Sequence, residues 1–508
     1  MSSSRVINTK RNIIWSFIEY LILILFSFIS NAVIVHYLGV DYLGLSGLFT
    51  SILQVLNVAE LGFSVAVTYN MYKPIAENDT VTVNALLAFY RKIYFAIGSL
   101  VFVVGIIVMP FIPYLIEGGY PESINIYVLY FLYLSNTAVS YFLFSYRTAL
   151  LNALQRLDLT KLAYCIVSIV QNVLQILSIS VFQNYYLFVG ISIAGTAFKN
   201  IISAYISHKK FPVYKCSGDL EPAIKSNIAS KVKGLLICNI SGVTYTTFDS
   251  IILSALKGLF IVAVYNNYLL VFNGISHVIS MIRYAMQASV GNSVASESVE
   301  KNHNDLKKWQ FLFSMIATFC SACLVCVYQP FMKLWMGEKM LLPFIDVVLL
   351  SVLFFISTVQ HAHYLYLNAA GLWLEMKWAY ISSTILNIVL NLLLCHLLST
   401  TGIILATLIA SLLSGLVWQT VVVFREYFKR SASSYLIKQM LYFVFAAVLV
   451  TVSYMLTTII GLDGIVGIIV NILVCFGISA LSVIVIFGRT EEYRACLNIF
   501  KALFRKKQ

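Results

Sequence analysis

The sequence predicts an all-α, polytopic membrane protein with about fourteen transmembrane helices. Apolar residues make up 60% of the 508 positions and charged residues only 11%, which is too few to cover the surface of a soluble domain. The apolar residues lie in fourteen runs long enough for helices to cross about 30 Å of hydrocarbon. These runs are too long and too uniformly apolar to be strands of a β-barrel.

The predicted spans follow one another along the whole chain. The first run is too long for a signal-peptide core and lacks a small-residue cleavage site, so we expect it to remain as helix 1. We place the spans at residues 12–37, 42–69, 92–112, 124–146, 159–182, 186–206, 231–255, 260–282, 309–332, 344–368, 377–398, 401–424, 436–460 and 464–488.

Lysine and arginine residues orient these spans. Basic residues in short loops resist translocation, so the side of the membrane that holds most of them is cytoplasmic. With both termini inside, all of the 34 Lys and Arg residues except Lys257, Lys333 and Lys339 lie in inner segments. The net charge of +13 therefore reflects topology and an anionic inner leaflet, and it does not indicate nucleic-acid binding.

An internal repeat divides the chain. The segment Leu151-Asn152-Ala153, with Lys161 and Ala163-Tyr164, recurs as Leu367-Asn368-Ala369, with Lys377 and Ala379-Tyr380. Six predicted helices separate the copies, so both point the same way through the membrane. We therefore expect two parallel six-helix lobes, followed by two extra helices. The predicted divisions are an N-lobe (1–206), a basic cytoplasmic linker (207–230), a C-lobe (231–424), and helices 13 and 14 with a basic tail (425–508).

Polar residues inside the spans are candidates for a transport cavity, because ionisable groups that face lipid are costly. Transporters built from repeats commonly bind substrate between the lobes. We expect the acids Glu19, Glu60 and Asp249 to pair helices or to couple transport to ions. The polar candidates for the cavity wall are the amides Asn57, Gln171, Asn239 and Asn273.

Arg147 and Arg283 are candidates for lining the cavity, or they extend to the lipid headgroups from their helix ends. The amides equally fit a role as contacts between helices. His361 and His363 point in different directions on one helix and favour a structural role. Cys320, Cys323 and Cys326 fit helix packing better than metal binding, and no spacing typical of a metal or cofactor site occurs.

The sequence also resembles a known family. Three N-terminal segments carry the likeness, namely Leu38 to Leu45 (LGVDYLGL), Ala59 to Phe63 (AELGF) and Tyr72-Lys73-Pro74. Three later segments support it: Asp249 to Ser254 (DSIILS), Tyr265 to Tyr268 (YNNY) and Ala288 to Asn292 (ASVGN). These segments resemble the bacterial polysaccharide transporter family. Its members are Wzx-type lipid-linked oligosaccharide flippases of the multidrug/oligosaccharidyl-lipid/polysaccharide exporter superfamily.

The resemblance implies a flippase in the bacterial plasma membrane. Such a protein carries undecaprenyl-pyrophosphate-linked oligosaccharides outward by alternating access, with glycosyltransferases and a polysaccharide polymerase as possible partners. In that case Arg147 and Arg283 contact the pyrophosphate, the amides hold sugars, and helices 13 and 14 are candidates for a groove that holds the lipid tail.

Two alternatives remain open. A cation-coupled extruder of drugs or organic cations would depend on Glu19, Glu60 and Asp249 and not on the arginines. A membrane glycan polymerase would need catalytic groups in a large external loop, whereas the longest external connections, around 113–123 and 333–343, are short. The chain has no ATP-binding loop motif.

Overall fold

The structure is a computed structural model that describes the backbone of residues 2–504. Side chains are described throughout that range except at residues 2–10, 12–13, 59, 61–62, 65, 223, 227, 230–231, 233–239, 241, 244–246, 499–500 and 502–504. The described backbone is almost entirely helical and contains no strand.

Nineteen α-helices follow one another within residues 2–504. They are α1 (Ser2–Tyr37), α2 (Val40–Leu56), α3 (Val58–Ala76), α4 (Thr80–Val108), α5 (Ile126–Phe142), α6 (Ser145–Ala153), α7 (Asp158–Ser180), α8 (Tyr185–Lys210), α9 (Pro222–Lys257), α10 (Leu259–Ser296), α11 (Val299–Met336), α12 (Phe344–Val359), α13 (His361–Ala370), α14 (Lys377–Leu398), α15 (Thr400–Ala410), α16 (Gln419–Val423), α17 (Ser433–Ile460), α18 (Gly464–Phe487) and α19 (Glu491–Phe504). Short 3₁₀ segments cover Met109–Leu115 and Glu338–Met340, and π-helical segments cover Ser411–Trp418 and Phe424–Phe428.

The predicted fold class is confirmed, because every predicted span falls on a helix or on consecutive helical segments. Within the described range, 11 helical stretches are long and apolar enough to cross a membrane, and the bent pair of α5 and α6 makes up to 12. The remaining two predicted spans fall on the pair α2 and α3, which breaks at Asn57, and on α9. The chain is thus a polytopic helical membrane protein.

The second half of the chain repeats the helix order of the first. The turn between α1 and α2 contains Gly39, and the matching turn between α9 and α10 contains Gly258, with φ of 109° and 83°. Only glycine adopts these angles without strain. Further along each copy, α4 and α11 begin with the same kind of cap. The Asp79 side chain accepts from the Thr82 backbone N–H, and the Ser298 side chain accepts from that of Lys301. Hydrogen bonds from Thr82 also lower the pKa of Asp79.

The chain divides into two compact units, Met1–Ala263 and Val264–Gln508, with the boundary inside α10. In the first unit, α9 packs on α2 and α3. Gly44 of α2 allows the start of α10 to approach closely, since a Cβ atom at Gly44 would lie 2.8 Å from the Leu259 Cβ. The lobe and linker divisions drawn from the sequence follow the repeat and remain a prediction.

The linker segment is folded onto the first unit. Its backbone is held at two points, where the Tyr214 carbonyl accepts a 2.9 Å hydrogen bond from Arg147 and the Lys215 N–H donates a 2.6 Å bond to Asn84. Leu220 and Ile228 are buried in the core formed with α3, α4 and α6. The segment after α8 is therefore a packed part of the unit.

In the second unit, the last helices pack on α11. The amide of Gln310 donates to the Tyr435 carbonyl over 3.0 Å and to Gln439 over 3.2 Å, which joins α11 to α17. On α18, Asn471 donates to the Cys326 carbonyl over 3.2 Å. The tail beyond α18 forms a further helix, α19, and Lys438 of α17 forms an ion pair with its Glu492.

Candidate functional site

The first unit contains a polar cavity of about 470 Å³. Its wall is built from α3 to α8, and the side chains that matter most for binding are Glu60, Asn152, Lys161, Thr196, Lys199 and Asn200. A carboxylate, two ammonium groups and several amides and hydroxyls thus meet inside a bundle of otherwise apolar helices. Such a cavity can bind a charged, hydrogen-bonding group away from lipid.

Glu60 lies at this cavity, where the sequence predicts a functional acid. Tyr94 of α4 donates a short hydrogen bond to one carboxylate oxygen. The Tyr141 hydroxyl of α5 lies 3.1 Å from the other oxygen and 3.0 Å from the Asn57 side-chain oxygen. Since a hydroxyl carries one proton, Tyr141 donates to one of these acceptors at a time. Glu60 therefore joins α3 to α4 and α5 while facing the cavity.

Asn57 marks the break between α2 and α3. Its side-chain oxygen accepts from Tyr141, so it belongs to the same hydrogen-bond network as Glu60. The candidate amide Asn57 therefore does not line the cavity itself, and it contacts the cavity wall through Tyr141.

Glu19 of α1 forms an ion pair with Lys161 of α7. The two side chains are only 23% and 17% exposed, and Lys161 lines the cavity. Pairing of opposite charges reduces the cost of keeping both in a membrane-embedded bundle. Glu19 thus contributes to the site by holding a cavity lysine.

Lys199 of α8 supplies the second ammonium group of the cavity. The described carboxylates include none within ion-pair distance of Lys199, in contrast to Lys161. Glu19 interacts with the charge of Lys199 only from beyond ion-pair distance, so the ammonium group keeps its hydrogen-bond donors for an anionic ligand.

Gln171, a second candidate amide, lies in the packing between α7 and α8. It donates to Gln175 over 3.5 Å, and a Cβ atom on Gly195 would overlap its side chain. Gln175 in turn donates to Ser192 over 2.7 Å. The structure places these amides as contacts between helices, which is the alternative stated above.

Arg147 is held by the linker. Its guanidinium donates to the Tyr214 carbonyl and lies 5.5 Å from the centre of the Tyr146 ring. It is absent from the wall of the polar cavity. The geometry therefore gives Arg147 a role in docking the linker.

Arg283 lies in the second unit, on α10. Its guanidinium stacks 4.2 Å from the centre of the Tyr284 ring and 6.0 Å from that of Tyr364 on α13. Its Nε atom is buried without a hydrogen-bond partner. One turn along α10, Gln287 donates to the Leu365 carbonyl over 3.1 Å and accepts from Asn368 over 3.3 Å. Arg283 thus retains an unused donor beside a polar surface.

The remaining candidates are spread over α9 and α10. Asp249 is buried, with 2% exposure, and Asn273 is exposed. Asn239 lies outside the residues whose side chains are described. Among the described residues, no three His, Cys, Asp or Glu side chains come together in a way that could hold a metal ion.

Sequence reasoning missed Lys199 and the two tyrosines that hold Glu60. Lys199 lies inside the predicted span 186–206, and a lysine within a span is itself a signal of function. The charge count instead places Lys199 with the cytoplasmic segment that follows. No sequence signal separates Tyr94 and Tyr141 from the chain's other 30 tyrosines, because their roles depend on how α4 and α5 pack.

No protein-family model matches the sequence, and no curated protein matches it. Solved structures do match by fold. The lipid II flippase MurJ in an inward closed conformation has a TM-score of 0.64 at 13% identity, over 94% of this chain and 98% of MurJ.

Two MATE transporters show the same likeness. An inward-facing multidrug resistance transporter of the MATE family, in the MOP superfamily, has a TM-score of 0.61 at 14% identity, over 78% of this chain and 94% of its own. The Vibrio cholerae MATE transporter VcmN has a TM-score of 0.56 at 13% identity, over 84% of this chain and 100% of its own. At such low identity these matches show the fold, which this chain has in common with MATE transporters and MurJ.

Proposed function

We propose that this protein is a flippase for lipid-linked oligosaccharides. It moves undecaprenyl-pyrophosphate-linked repeat units from the inner to the outer leaflet of a bacterial plasma membrane by alternating access. Glycosyltransferases would make the substrate inside, and a polysaccharide polymerase would use it outside. The proposal assigns to this protein the transport activity that the Wzx-type resemblance implies.

The observation that carries the proposal is Lys199 in the wall of the polar cavity, without a carboxylate partner among the described residues. A pyrophosphate brings negative charge that an ammonium group binds strongly. The hydroxyls and amides around Lys199, including Thr196 and Asn200, suit the hydroxyl groups of a sugar. Lys161 adds a second cation, although its charge is partly balanced by Glu19.

The fold comparison supports this direction. Among the solved structures compared, MurJ is aligned over 94% of this chain and is described as a lipid II flippase. The similar structures named above are transporters or flippases, which favours transport over an enzymatic role such as glycan polymerisation.

The test follows the substrate in a deletion strain. Deletion of the gene should cause lipid-linked repeat units to accumulate in the inner leaflet, as read by a leaflet-specific glycan probe. Wild type should relieve the accumulation, whereas Lys199→Gln should restore at most a small fraction of outward movement. Lys210→Gln is the matched control, because it removes a positive charge from the exposed end of the same helix.

Membrane levels of each variant, measured by immunoblot, separate loss of function from loss of protein. Full transport activity of Lys199→Gln at normal protein levels would show that Lys199 does not bind the substrate. Unchanged outward movement in the deletion strain would refute the flippase itself.

A cation-coupled extruder is the second candidate, because the Glu60 carboxylate faces the cavity and MATE transporters have this fold. An extruder of cations needs the acid and is hindered by the lysines. It predicts that Glu60→Gln abolishes export of organic cations while Lys199→Gln leaves it intact or increases it. The flippase predicts the opposite order of sensitivity to these two substitutions.

A further inference from the structure

A second cavity, of about 360 Å³, lies next to the polar cavity. Tyr94 and Tyr141 line both cavities and form a common wall between them. The second cavity differs in chemistry, since its other walls are the aromatic residues Phe95, Phe142, Phe144 and Tyr146. We call it the aromatic pocket.

The aromatic pocket is created by the bend between α5 and α6. The two helices meet at 50°, and Phe144 between them adopts the left-handed conformation with φ of 58°. A bulky residue is rarely found in this region. Phe142 and Phe144 on either side of the bend are 39% and 42% exposed.

The matching position of the second repeat is built differently. Gln360, between α12 and α13, keeps a right-handed helical conformation, and its amide donates to Ser411. Residues 344–370 therefore form one continuous span by length and composition. The aromatic pocket depends on the left-handed Phe144 of the first copy and is not imposed by the repeated fold.

Two basic residues, Arg91 and Lys92, form the polar rim of the aromatic pocket. Arg91 is exposed and has no ion-pair partner among the described carboxylates. Lys92 forms a 3.3 Å ion pair with Asp219, but both side chains are mostly exposed, and such pairs contribute little. Asp219 is the one carboxylate that contacts this rim in the described structure, so the rim has a net positive charge.

Beyond the rim, α4 presents an apolar face to lipid. Phe95, Leu100, Val103, Ile106 and Ile107 recur at helical spacing and are 43% to 62% exposed. In a membrane protein, this exposed stripe lies against acyl chains. The ring of Phe95 also lies 5.0 Å from that of Phe142, so the stripe leads directly into the aromatic pocket.

We propose that the aromatic pocket binds a bilayer phospholipid with an anionic headgroup. Arg91 and Lys92 hold the phosphate, and one acyl chain lies against the Phe95 and Phe142 rings, which contact each other, and continues along α4. The pocket opens towards the lipid-facing stripe, so a lipid reaches it without entering the polar cavity. The site is therefore distinct from the proposed transport site and does not depend on the proposed flippase activity.

Native mass spectrometry of the purified protein tests this assignment. The protein would be released from nanodiscs that contain equal amounts of phosphatidylglycerol and phosphatidylethanolamine. Wild type should retain phosphatidylglycerol preferentially. The double variant Arg91→Gln/Lys92→Gln should lower its apparent affinity roughly tenfold or more, since each basic residue near an anionic lipid surface contributes about a fivefold factor.

The matched control is Lys209→Gln/Lys210→Gln, which removes the same charge from the exposed end of α8. It should leave the preference for phosphatidylglycerol unchanged. Equal losses of phosphatidylglycerol affinity in the two double variants would mean that only overall charge matters, which would refute a specific site.

The apolar part of the site has its own test. Phe142→Ala should weaken retention of phosphatidylglycerol, whereas Phe198→Ala, which removes a ring with 59% exposure from α8, should not. Glycerol phosphate at millimolar concentration should fail to displace the lipid. Displacement by this headgroup alone would show a simple phosphate site and refute binding of a lipid.

Discussion

At the scale of single residues, the charges inside the predicted spans are arranged so that few of them stand alone. Glu19 is paired with Lys161, and Glu60 accepts a hydrogen bond from Tyr94. The Tyr141 hydroxyl donates either to Glu60 or to Asn57. Among the described residues, Lys199 and, just beyond the end of its predicted span, the Nε atom of Arg283 keep unused hydrogen-bond donors. Because unpaired ionisable groups are costly in a membrane, these two groups are candidates for ligand binding.

The Tyr141 hydroxyl should stabilise the packing of α3 on α5. Tyr141→Phe removes its hydrogen bond to Asn57 or Glu60, while Tyr94 still donates to Glu60. We expect a loss of about 1 kcal/mol, measured as a lower midpoint of thermal unfolding in detergent. The control Tyr127→Phe changes a side chain with 43% exposure and should leave the midpoint in place. A Tyr141→Phe midpoint equal to that of wild type would mean that water replaces the hydroxyl at no cost.

At the scale of helices, breaks and close approaches define the site. The break at Asn57 brings Glu60 to the cavity, and the bend at Phe144 separates α5 from α6. Glycines permit close contacts between α2 and the start of α10 and between α7 and α8. The linker adds a layer of packing that depends on Arg147.

Gly44→Ala should separate α2 from the start of α10. The added methyl group would meet the backbone and Cβ of Leu259, which cannot move aside like the end of a flexible side chain. Overpacking of this kind costs about 1–3 kcal/mol, and we expect a lower unfolding midpoint in detergent. Gly190→Ala on α8 is the opposite case, because nothing lies within 4 Å of its added Cβ. That variant should gain up to about 1 kcal/mol from helix propensity, and a comparable loss in both variants would contradict the contact.

Arg147→Gln should release the linker. Without the guanidinium, the Tyr214 carbonyl loses its 2.9 Å hydrogen bond, and the segment around Lys215 should open more often. Trypsin cleavage after Lys215 should then become several times faster, as followed by gel and peptide mass spectrometry. Arg156→Gln provides a control, since Arg156 pairs with Asp158 and does not contact the linker. An unchanged cleavage rate, together with a loss of transport, would instead support a contact between Arg147 and the pyrophosphate of the substrate.

At the scale of the whole molecule, turns and helix caps of the first half of the chain recur in the second half. The matching Gly39 and Gly258 turns and the matching caps at Asp79 and Ser298 show that the repeat reaches well beyond residues 151–177 and 367–393. The two copies differ in chemistry. The lysine pair that lines the polar cavity of the first unit, Lys161 and Lys199, is not repeated in the second. Lys377, the partner of Lys161 in the repeat, instead lies 5.7 Å from the centre of the Trp378 ring.

The orientation of the chain can be tested by accessibility. The predicted topology places Asn78 and Ser431 in cytoplasmic connections and Glu122 and Asp463 in external ones, and all four are exposed. In intact cells, a membrane-impermeant maleimide should label Glu122→Cys and Asp463→Cys in a background without other cysteines. Asn78→Cys and Ser431→Cys should react only after the cells are opened, and the reverse pattern would invert the predicted topology.

Within the described residues, 11 or 12 helical stretches are long and apolar enough to cross a membrane, against fourteen predicted spans. The membrane class, the repeat and several polar candidates could be read from the sequence alone. Each of these rests on local patterns of hydropathy, charge and spacing, which the bilayer translates directly into helices. Glu60 was a candidate because an acid inside a span needs a polar environment, and the structure places it at a polar cavity within the first unit.

Only the tertiary structure decided which polar residues share a wall. Lys161 and Lys199 line the same cavity as Glu60 because α6 packs on both α3 and α8, and α7 packs on α8. Arg147 instead turns to the linker, and Gln171 turns to the neighbouring helix. A side chain's partners depend on how a helix is rotated and packed, and that is set by contacts between residues far apart in the chain. The same holds for the aromatic pocket, which exists because one phenylalanine between two helices takes a left-handed conformation.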